Sequence, residues 1–134
     1  MTDILVDSNV ILDILTEDPQ WFEWSAQKLR ECANQGELVI NPIIYAEISI
    51  GFSQPEALDT AIPPDFFRRD PLPYNAAFLA GQSFLEYRRR GGERRSPLPD
   101  FYIGAHAAVA EIHLLTRDTN RYRTYFPSIQ LITP

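Results

Sequence analysis

Short, unbroken apolar runs alternate along the chain with longer segments in which apolar residues recur at helical spacing. Four of the runs are rich in branched aliphatic residues and predict strands buried in a parallel sheet. They are "ILV" at 4–6, "LVI" at 38–40, "HLLT" at 113–116 and "IQLIT" at 129–133. Because strands that alternate with helices form parallel sheets covered on both faces, the pattern predicts a three-layer α/β/α fold with a central parallel sheet.

Turn and capping residues mark where the predicted helices begin and end. Asn41 followed by Pro42 is a strong start signal, and Gly36 ends the amphipathic helix before the second strand. The remaining segments are a helix in "NVILDIL", a short helix in "SQPEALDTAIPP", an edge strand or a loop in "DFFRRDPL", a loop in "ERRSPLP", a small-residue helix in "DFYIGAHAAVAEI" and a turn or short helix in "RDTNRYRTYFP".

The longest predicted helix lies in "PYNAAFLAGQSFLEYRRRGG" and ends at the double glycine. Four of its residues are spaced for a single helix face, which predicts that this face packs on the core. They are Phe78, Leu79, Gln82 and Leu85.

Composition narrows the class of protein. With 134 residues, 45% of them hydrophobic and 22% charged, the chain fits a single globular domain over 1–134. No apolar stretch approaches the roughly 18 residues of a membrane helix, so we expect no membrane association and a cytoplasmic protein. The single cysteine, Cys32, excludes an internal disulfide and a cysteine-based zinc site, and we expect it to pack in the core.

The charge is acidic overall but unevenly distributed. A net charge of −6 argues against a protein that coats nucleic acid by bulk attraction. Eleven of the twelve basic residues are arginine, and five of them fall in "RRRGGERR" at 88–95, so a local basic patch coexists with an acidic whole.

Three aspartates stand where the predicted elements end or begin. Asp7 directly follows the first strand, Asp118 follows the "LLT" strand by two residues, and Asp100 opens the small-residue helix. The carboxyl ends of parallel strands line the crevice where open α/β sheets bind ligands, which favours a functional role. For Asp7, the alternative is a helix N-cap that accepts backbone N–H groups.

Glu47 is the acid that a purely structural role explains least well. It lies on the predicted third helix on the same face as Ile43, Ala46 and Ile50, which predicts that it points inward. A buried carboxylate needs a partner, which leaves an arginine or a metal ion.

Together the four acids predict a cation site. Asp7, Glu47, Asp100 and Asp118 would repel one another in one cleft unless cations neutralise them, and all-oxygen ligation favours Mg²⁺ or Mn²⁺ over zinc. The two histidines, His106 and His113, are not spaced with the acids, so we expect both to be structural.

Four stretches of the chain resemble the PIN domain family, and specifically the VapC-type toxins of bacterial toxin–antitoxin pairs. The stretches are "ILVDSNVILDIL", "PIIYAEIS", "PDFYIGAHAAV" and "LLTRDTNRYRTYFPSIQLITP". The four acids occur in the family's order, and Asn9 and Thr116 match its small polar supports beside the first and last acids. The segment 54–72, where family members vary, carries no signature.

The resemblance implies a metal-dependent endoribonuclease of the PIN fold that uses Mg²⁺, with Mn²⁺ as a possible substitute, and leaves 5′-phosphate ends. It also implies a homodimer that a cognate antitoxin inhibits. Asp7, Glu47 and Asp100 are the expected main metal ligands, Asp118 is expected to bind a second ion directly or through water, and Asn9 and Thr116 are expected to orient the ligands.

Two alternatives remain open. A PIN-like domain without catalysis could serve as a binding module for protein or RNA, although an intact set of acids argues against it. Within the basic patch, Arg94 and Arg95 either belong to a solvated helix end or bind RNA phosphates beside the site, since they directly precede Asp100 in the chain.

Overall fold

A computed structural model describes residues 2–95 and 98–134 and shows a five-stranded parallel sheet. Ser96 and Pro97, which belong to the predicted loop "ERRSPLP", lie outside the described residues. The strands are β1 (Ile4–Val6), β2 (Leu38–Ile40), β3 (Phe67–Arg69), β4 (His113–Leu115) and β5 (Leu131–Ile132). Their order is β3-β2-β1-β4-β5, and every neighbouring pair is parallel. The segment "DFFRRDPL" is therefore an edge strand rather than a loop.

Seven helices in the described ranges connect these strands. They are α1 (Ser8–Leu15), α2 (Phe22–Gln35), α3 (Pro42–Ser49), α4 (Pro55–Ala61), α5 (Tyr74–Arg89), α6 (Pro99–Ala110) and α7 (Asn120–Tyr125). Because parallel crossovers are right-handed, α1 to α4 and α5 to α7 cover opposite faces of the sheet, which confirms the three-layer prediction. None of the described helices is long and apolar enough to cross a membrane.

The strand order reverses at the centre of the sheet, between β1 and β4. The chain moves from β1 outward to β3 and then returns to the other side of β1 as β4. Val6 lies opposite Leu115 in the register, and the Asp7 backbone N–H donates to the Leu115 carbonyl at 2.9 Å. This reversal opens a crevice at the carboxyl ends of β1 and β4, where Asp7 and Thr116 emerge together.

The predicted helix signals have the expected geometry. Asn41 caps α3, since its side chain accepts the Ile44 backbone N–H at 3.0 Å, and Pro42 is the first helical residue. Gly36 follows α2 directly. After α5, Gly91 has a φ of 94°, a left-handed conformation that glycine adopts without strain.

The predicted buried face of α5 is wrong. Phe78 and Leu85 are 70% and 42% exposed, whereas the fully buried positions on the helix are Ala76, Ala80 and Ser83. The small residues face inward because α5 packs closely along α6, and Phe78 and Leu85 are left on the outer surface.

An aromatic cluster anchors α6 and α7. Phe101 lies within 6.5 Å, centroid to centroid, of four other rings. Gly104 lets Phe126 approach α6, because a Cβ at that position would lie 2.4 Å from the Phe126 ring. The same packing holds α7 against the edge of the crevice.

Candidate functional site

Asp7 is the most buried of the four predicted acids, with 3% of its surface exposed. Its Oδ2 atom accepts hydrogen bonds from the hydroxyls of Thr116 at 2.9 Å and Tyr122 at 2.8 Å, and a longer one from the Asn9 amide at 3.4 Å. Asn9 also donates to Thr116 at 3.2 Å. Asp7 occupies the N-cap position of α1 but makes no side-chain cap hydrogen bond there, so its carboxylate serves the crevice rather than the helix.

Tyr122 brings a second acid to the same place. Its hydroxyl, on a side chain that is 1% exposed, lies 2.8 Å from Asp7 Oδ2 and 3.3 Å from Asp100 Oδ1. Asp100 projects from the first turn of α6, and Tyr122 from α7. The tyrosine therefore links the acid after β1 to the acid on α6.

Glu47 joins the site from α3, but not for the predicted reason. Ala46 and Ile50 on the predicted inward face are exposed, and the fully buried residues of α3 are Ile44 and Ile48. The half-buried Glu47 instead borders the crevice, where Ser8 donates to its Oε1 atom at 2.9 Å. No arginine pairs with Glu47 among the described residues, so one of the two predicted partners is absent there.

Asp118 differs from the other three acids in its exposure. It is exposed, and its backbone N–H donates to the Thr116 hydroxyl at 3.1 Å. With Asp100 it lines a cleft of about 420 Å³ that also contains Arg121. The structure therefore groups Asp7, Glu47 and Asp100 closely and places Asp118 at the mouth of the crevice.

Burial and mutual repulsion disfavour ionisation of the three grouped acids. Burial, with a smaller contribution from the negative charges of Asp100 and Glu47, raises the pKa of Asp7 to about 6 against the opposing hydrogen bonds of Tyr122 and Thr116. The pKa values of Glu47 and Asp100 are also raised, chiefly by burial. Arg121, whose guanidinium lies 3.7 Å from Asp100 Oδ2, partly offsets the effect at Asp100.

The family model for the PIN domain matches residues 4–127, which is nearly the whole chain. The chain belongs to the PIN domain family. The four stretches that carry the resemblance fall in or overlap this range. The first stretch and the two on α3 and α6 lie entirely within it, and the last stretch overlaps its end. No curated protein matches the chain significantly.

Solved structures similar to this PIN domain come from toxin–antitoxin complexes. VapBC2 from Rickettsia felis, bound to a fragment of promoter DNA, superposes with a TM-score of 0.75 at 17% identity over 98% of each chain. VapBC-1 from nontypeable Haemophilus influenzae gives 0.73 at 17% identity over 98% of this chain and 97% of that one. A toxin–antitoxin complex from Klebsiella pneumoniae gives 0.68 at 21% identity over 98% and 97%. At these identities the similarity establishes a shared fold.

The acids of the PIN domain fit a hard divalent cation in donor type and charge. Three desolvated carboxylates with raised pKa values supply oxygen ligands, and Arg121 offsets only part of their charge, which is the environment that Mg²⁺ or Mn²⁺ would neutralise. In residues 2–95 and 98–134, no three acidic, histidine or cysteine side chains are already arranged to hold one ion. The Tyr122 hydroxyl lies between Asp7 and Asp100, so a cation bound by both would have to draw these side chains together.

Several site residues were not predicted from the sequence. Each of three residues, Tyr122, Arg121 and Ser8, contacts at least one of the grouped acids, although the only signal in the sequence was their closeness to Asp118 or Asp7.

An ion pair that the sequence did not predict joins α1 to the loop after β4. Arg117 donates to both oxygens of the buried Asp13, at 2.8 and 2.9 Å, and this pair fixes the loop after β4 against α1.

The other candidates have structural surroundings. Cys32 is buried in the core, and the buried His106 accepts from the Asn41 amide at 2.9 Å. Arg94 and Arg95 are exposed, and the Arg94 carbonyl accepts a hydrogen bond from Arg88 that ties the loop to the end of α5.

The raised pKa of Asp7 predicts that the stability of the metal-free protein depends on pH. Between pH 4 and pH 6 the unfolded chain releases the Asp7 proton before the folded chain does, so stability falls as the pH rises through this window. Asp7→Asn removes that cost and keeps an oxygen that accepts from Tyr122 and Thr116. At pH 7 in EDTA we expect the variant to melt roughly 5–10 °C above the wild-type protein in a calorimetric scan.

The difference in melting temperature should shrink as the pH falls and vanish near pH 3, below both pKa values, where Asp7 is protonated in the folded and in the unfolded chain. Asp65→Asn, at an exposed aspartate, is the matched control and should melt with the wild-type protein at both pH values. A variant that melts at or below the wild-type temperature at pH 7 would show that burial of Asp7 carries no such cost.

Proposed function

We propose that this PIN domain is a metal-dependent endoribonuclease and the toxin of a VapC-type toxin–antitoxin pair. The observation that carries the proposal is the group of three desolvated carboxylates at the reversal point of the sheet. Burying such a group lowers the stability of a domain of this size. A function in which the acids bind a cation, and the cation binds a phosphate in the same crevice, explains why they are there.

In this proposal, Asp7, Glu47 and Asp100 hold the cation. A bound Mg²⁺ or Mn²⁺ supplies the positive charge that lets water attack the phosphodiester phosphorus and that stabilises the departing 3′ oxygen, leaving a 5′-phosphate. Thr116, Asn9 and Tyr122 keep the Asp7 carboxylate in one orientation through their hydrogen bonds to Oδ2. Ser8 holds Glu47 in the same way.

Asp118 has a separate role in the proposal. Its exposed position beside Asp100, on the wall of the cleft, suits an acid that binds a second ion or a water at the edge of the site. Thr116 supports both ends of this arrangement, because its hydroxyl donates to Asp7 and accepts from the Asp118 backbone.

The purified protein should cleave single-stranded RNA in Mg²⁺ or Mn²⁺ and stop in EDTA. We expect Asp7→Asn and Asp100→Asn to lower the single-turnover rate about a thousandfold, equivalent to about 4 kcal/mol, because each removes a cation ligand. The Asp65→Asn control removes the same charge from an exposed site and should retain the wild-type rate. The products should carry 5′-phosphates that a ligase accepts without prior phosphorylation.

Cleavage that persists in EDTA, or products that end in cyclic phosphates, would contradict the metal-dependent mechanism. An Mn²⁺-binding protein that leaves every RNA tested intact would instead favour the catalytically silent binding module.

An antitoxin is the protein partner that we propose for this domain. The similar solved structures from Rickettsia felis and Klebsiella pneumoniae are complexes of toxin and antitoxin. This chain carries an apolar groove of about 350 Å³ between α1, α2 and the segment before β3, with half-exposed Leu15 and Phe66 at its surface. An apolar antitoxin segment fits this groove, and an antitoxin arginine placed among the acids would supply the charge that the metal otherwise provides.

We also propose that the toxin is a homodimer. α5 carries three exposed apolar side chains, Tyr74 (95%), Phe78 (70%) and Leu85 (42%). They are four and seven residues apart, which is helical spacing, so they form one apolar stripe on the outer surface. A second copy that packs the same stripe against this one would make a symmetric interface.

Phe78→Glu should convert the protein to a monomer. Light scattering after size-exclusion chromatography should give twice the chain mass of 15.4 kDa for the wild-type protein and the chain mass for the variant, because a buried carboxylate on the two-fold axis opposes its own copy. The same substitution at Phe66, in the groove, is the control and should leave the dimer intact. A wild-type monomer, or a Phe78→Glu dimer, would rule out this interface.

A further inference from the structure

A polar cleft of about 420 Å³ opens beside the acids, and the proposed mechanism leaves several of its lining residues without a role. Asp100 and Asp118 line it together with Arg121, Tyr87 and Tyr125. The volume lies within the range of roughly 300–1,000 Å³ in which proteins bind small ligands or single units of a polymer.

Arg121 is positioned to bind an anion next to the acids. Its guanidinium carbon lies 5.6 Å from the centroid of the Tyr87 ring and 5.3 Å from that of Phe101, so two aromatic faces hold it in place. Its nearest carboxylate oxygen, on Asp100, is 3.7 Å away, which is too long for a hydrogen bond. In the described part of the chain no hydrogen bond occupies its N–H groups, so the planar fork remains available to a phosphate.

The aromatic wall continues away from the acids toward a second cation. The Arg90 guanidinium carbon lies 5.3 Å from the Tyr125 centroid, and an ion pair with Glu86 at 2.9 Å steadies it. Tyr87 and Tyr125 are half-buried, with ring centroids 6.3 Å apart. Arginines that alternate with partly exposed rings are the pattern by which proteins bind single-stranded nucleic acid.

The floor of the cleft adds groups that distinguish nucleotides. Asn120 and Thr124 are exposed on α7, one helical turn apart, and both line the cleft. An amide and a hydroxyl in this position can hydrogen-bond to a base edge or to the ribose 2′-hydroxyl. Arg121 is the one cationic side chain among the described lining residues of this cleft, beside Asp100 and Asp118, and it is the group there that suits a phosphate.

We propose that this cleft is a nucleotide subsite for single-stranded RNA adjoining the scissile phosphate. Arg121 binds a backbone phosphate, and Tyr87 and Tyr125 contact a base. The inference rests on the proposed ribonuclease function and moves the expected phosphate contacts from Arg94 and Arg95 to Arg121 and Arg90. The basis is geometric, since Arg121 and Asp100 line the same cleft.

Equilibrium binding tests the subsite without cleavage. The probe is a fluorescein-labelled single-stranded RNA of mixed sequence, about 12 nucleotides long, titrated in EDTA at several salt concentrations with fluorescence anisotropy as the readout. We expect Arg121→Ala to weaken binding about tenfold and to lower the slope of log affinity against log salt by roughly one. Arg123→Ala removes the same charge from an exposed position on the same helix, outside the cleft, and should change affinity less than threefold.

Two further variants separate the roles of charge and stacking. Arg121→Lys should restore much of the salt slope because it keeps one charge. Tyr125→Leu should weaken binding several-fold with the salt slope unchanged, because a lost stacking contact releases no counterion. A melting scan of each variant excludes unfolding as the cause of weaker binding.

Arg121 could affect RNA binding either by contacting a phosphate or only by offsetting the charge of Asp100. A double variant decides between these two roles. In an Asp100→Asn background, Arg121→Ala should still weaken RNA binding about tenfold if the arginine contacts phosphate. An effect that disappears in that background, or an unchanged salt slope, would overturn the proposal.

Binding of the probe and cleavage of RNA are separate measurements, so failure of the subsite can be distinguished from failure of the ribonuclease function. A wild-type protein that cleaves RNA but whose Arg121→Ala variant binds the probe normally would refute the subsite and leave the ribonuclease function in place. A protein that binds the probe through Arg121 but cleaves no RNA would refute the ribonuclease function and retain the subsite. If Arg121→Ala impaired only binding to the antitoxin, the cleft would belong to the protein interface and the proposal would fail.

Discussion

The burial of one carboxylate, that of Asp7, is the constraint on which the rest of the site depends. The strand order brings β1 and β4 together at the centre of the sheet, so the residue after β1 emerges in a crevice with little access to water. Removing a carboxylate from water is costly unless its oxygens are hydrogen-bonded. Thr116 from the end of β4 and Tyr122 from α7 meet this need at a single oxygen, and they thereby connect two further elements to Asp7.

The side chains around Asp7 donate hydrogen bonds to its carboxylate but do not neutralise its negative charge. The donors around it are neutral, and the nearest charged groups with a resolved effect are the acids Asp100 and Glu47, which raise its pKa. The cations are placed elsewhere. Arg117 is held by Asp13, one turn further along α1 from Asn9, and Arg121 is stacked on aromatic rings beside Asp100. In the proposed function, this separation leaves the crevice for a divalent cation and the adjoining cleft for a phosphate.

Patterns local to the chain were sufficient to predict most of the fold. Three-residue strands of branched aliphatic residues, the Asn41–Pro42 start signal and the double glycine after α5 each encode their own element, and the alternation of elements implied a parallel sheet. The buried face of α5 could not be predicted in this way. Helical spacing identifies an apolar face but does not say whether the core or another copy covers it, and close packing against α6 selected the small residues.

The same limit applies to the site. The three aspartates could be located from their positions at the ends of elements, and Glu47 from its helix face and the family resemblance. Tyr122 and Arg121 could not, because their roles arise only when α7 folds back over the carboxyl end of β1, more than a hundred residues away in sequence. Glu47 borders the crevice although its helix face is not the buried one, since its contact with Ser8 depends on the meeting of α1 and α3.

The central claim is that the acids around Asp7 form a divalent-cation site in which binding of the ion displaces a proton. Calorimetric titration of the wild-type protein with Mn²⁺, in buffers of different ionisation enthalpy, measures both the affinity and the number of protons released. With the pKa of Asp7 near 6, we predict that binding at pH 6 releases about half a proton from this residue and that the release from it falls close to zero at pH 8. Absence of Mn²⁺ binding at both pH values, or binding at pH 6 that releases no proton, would contradict the account.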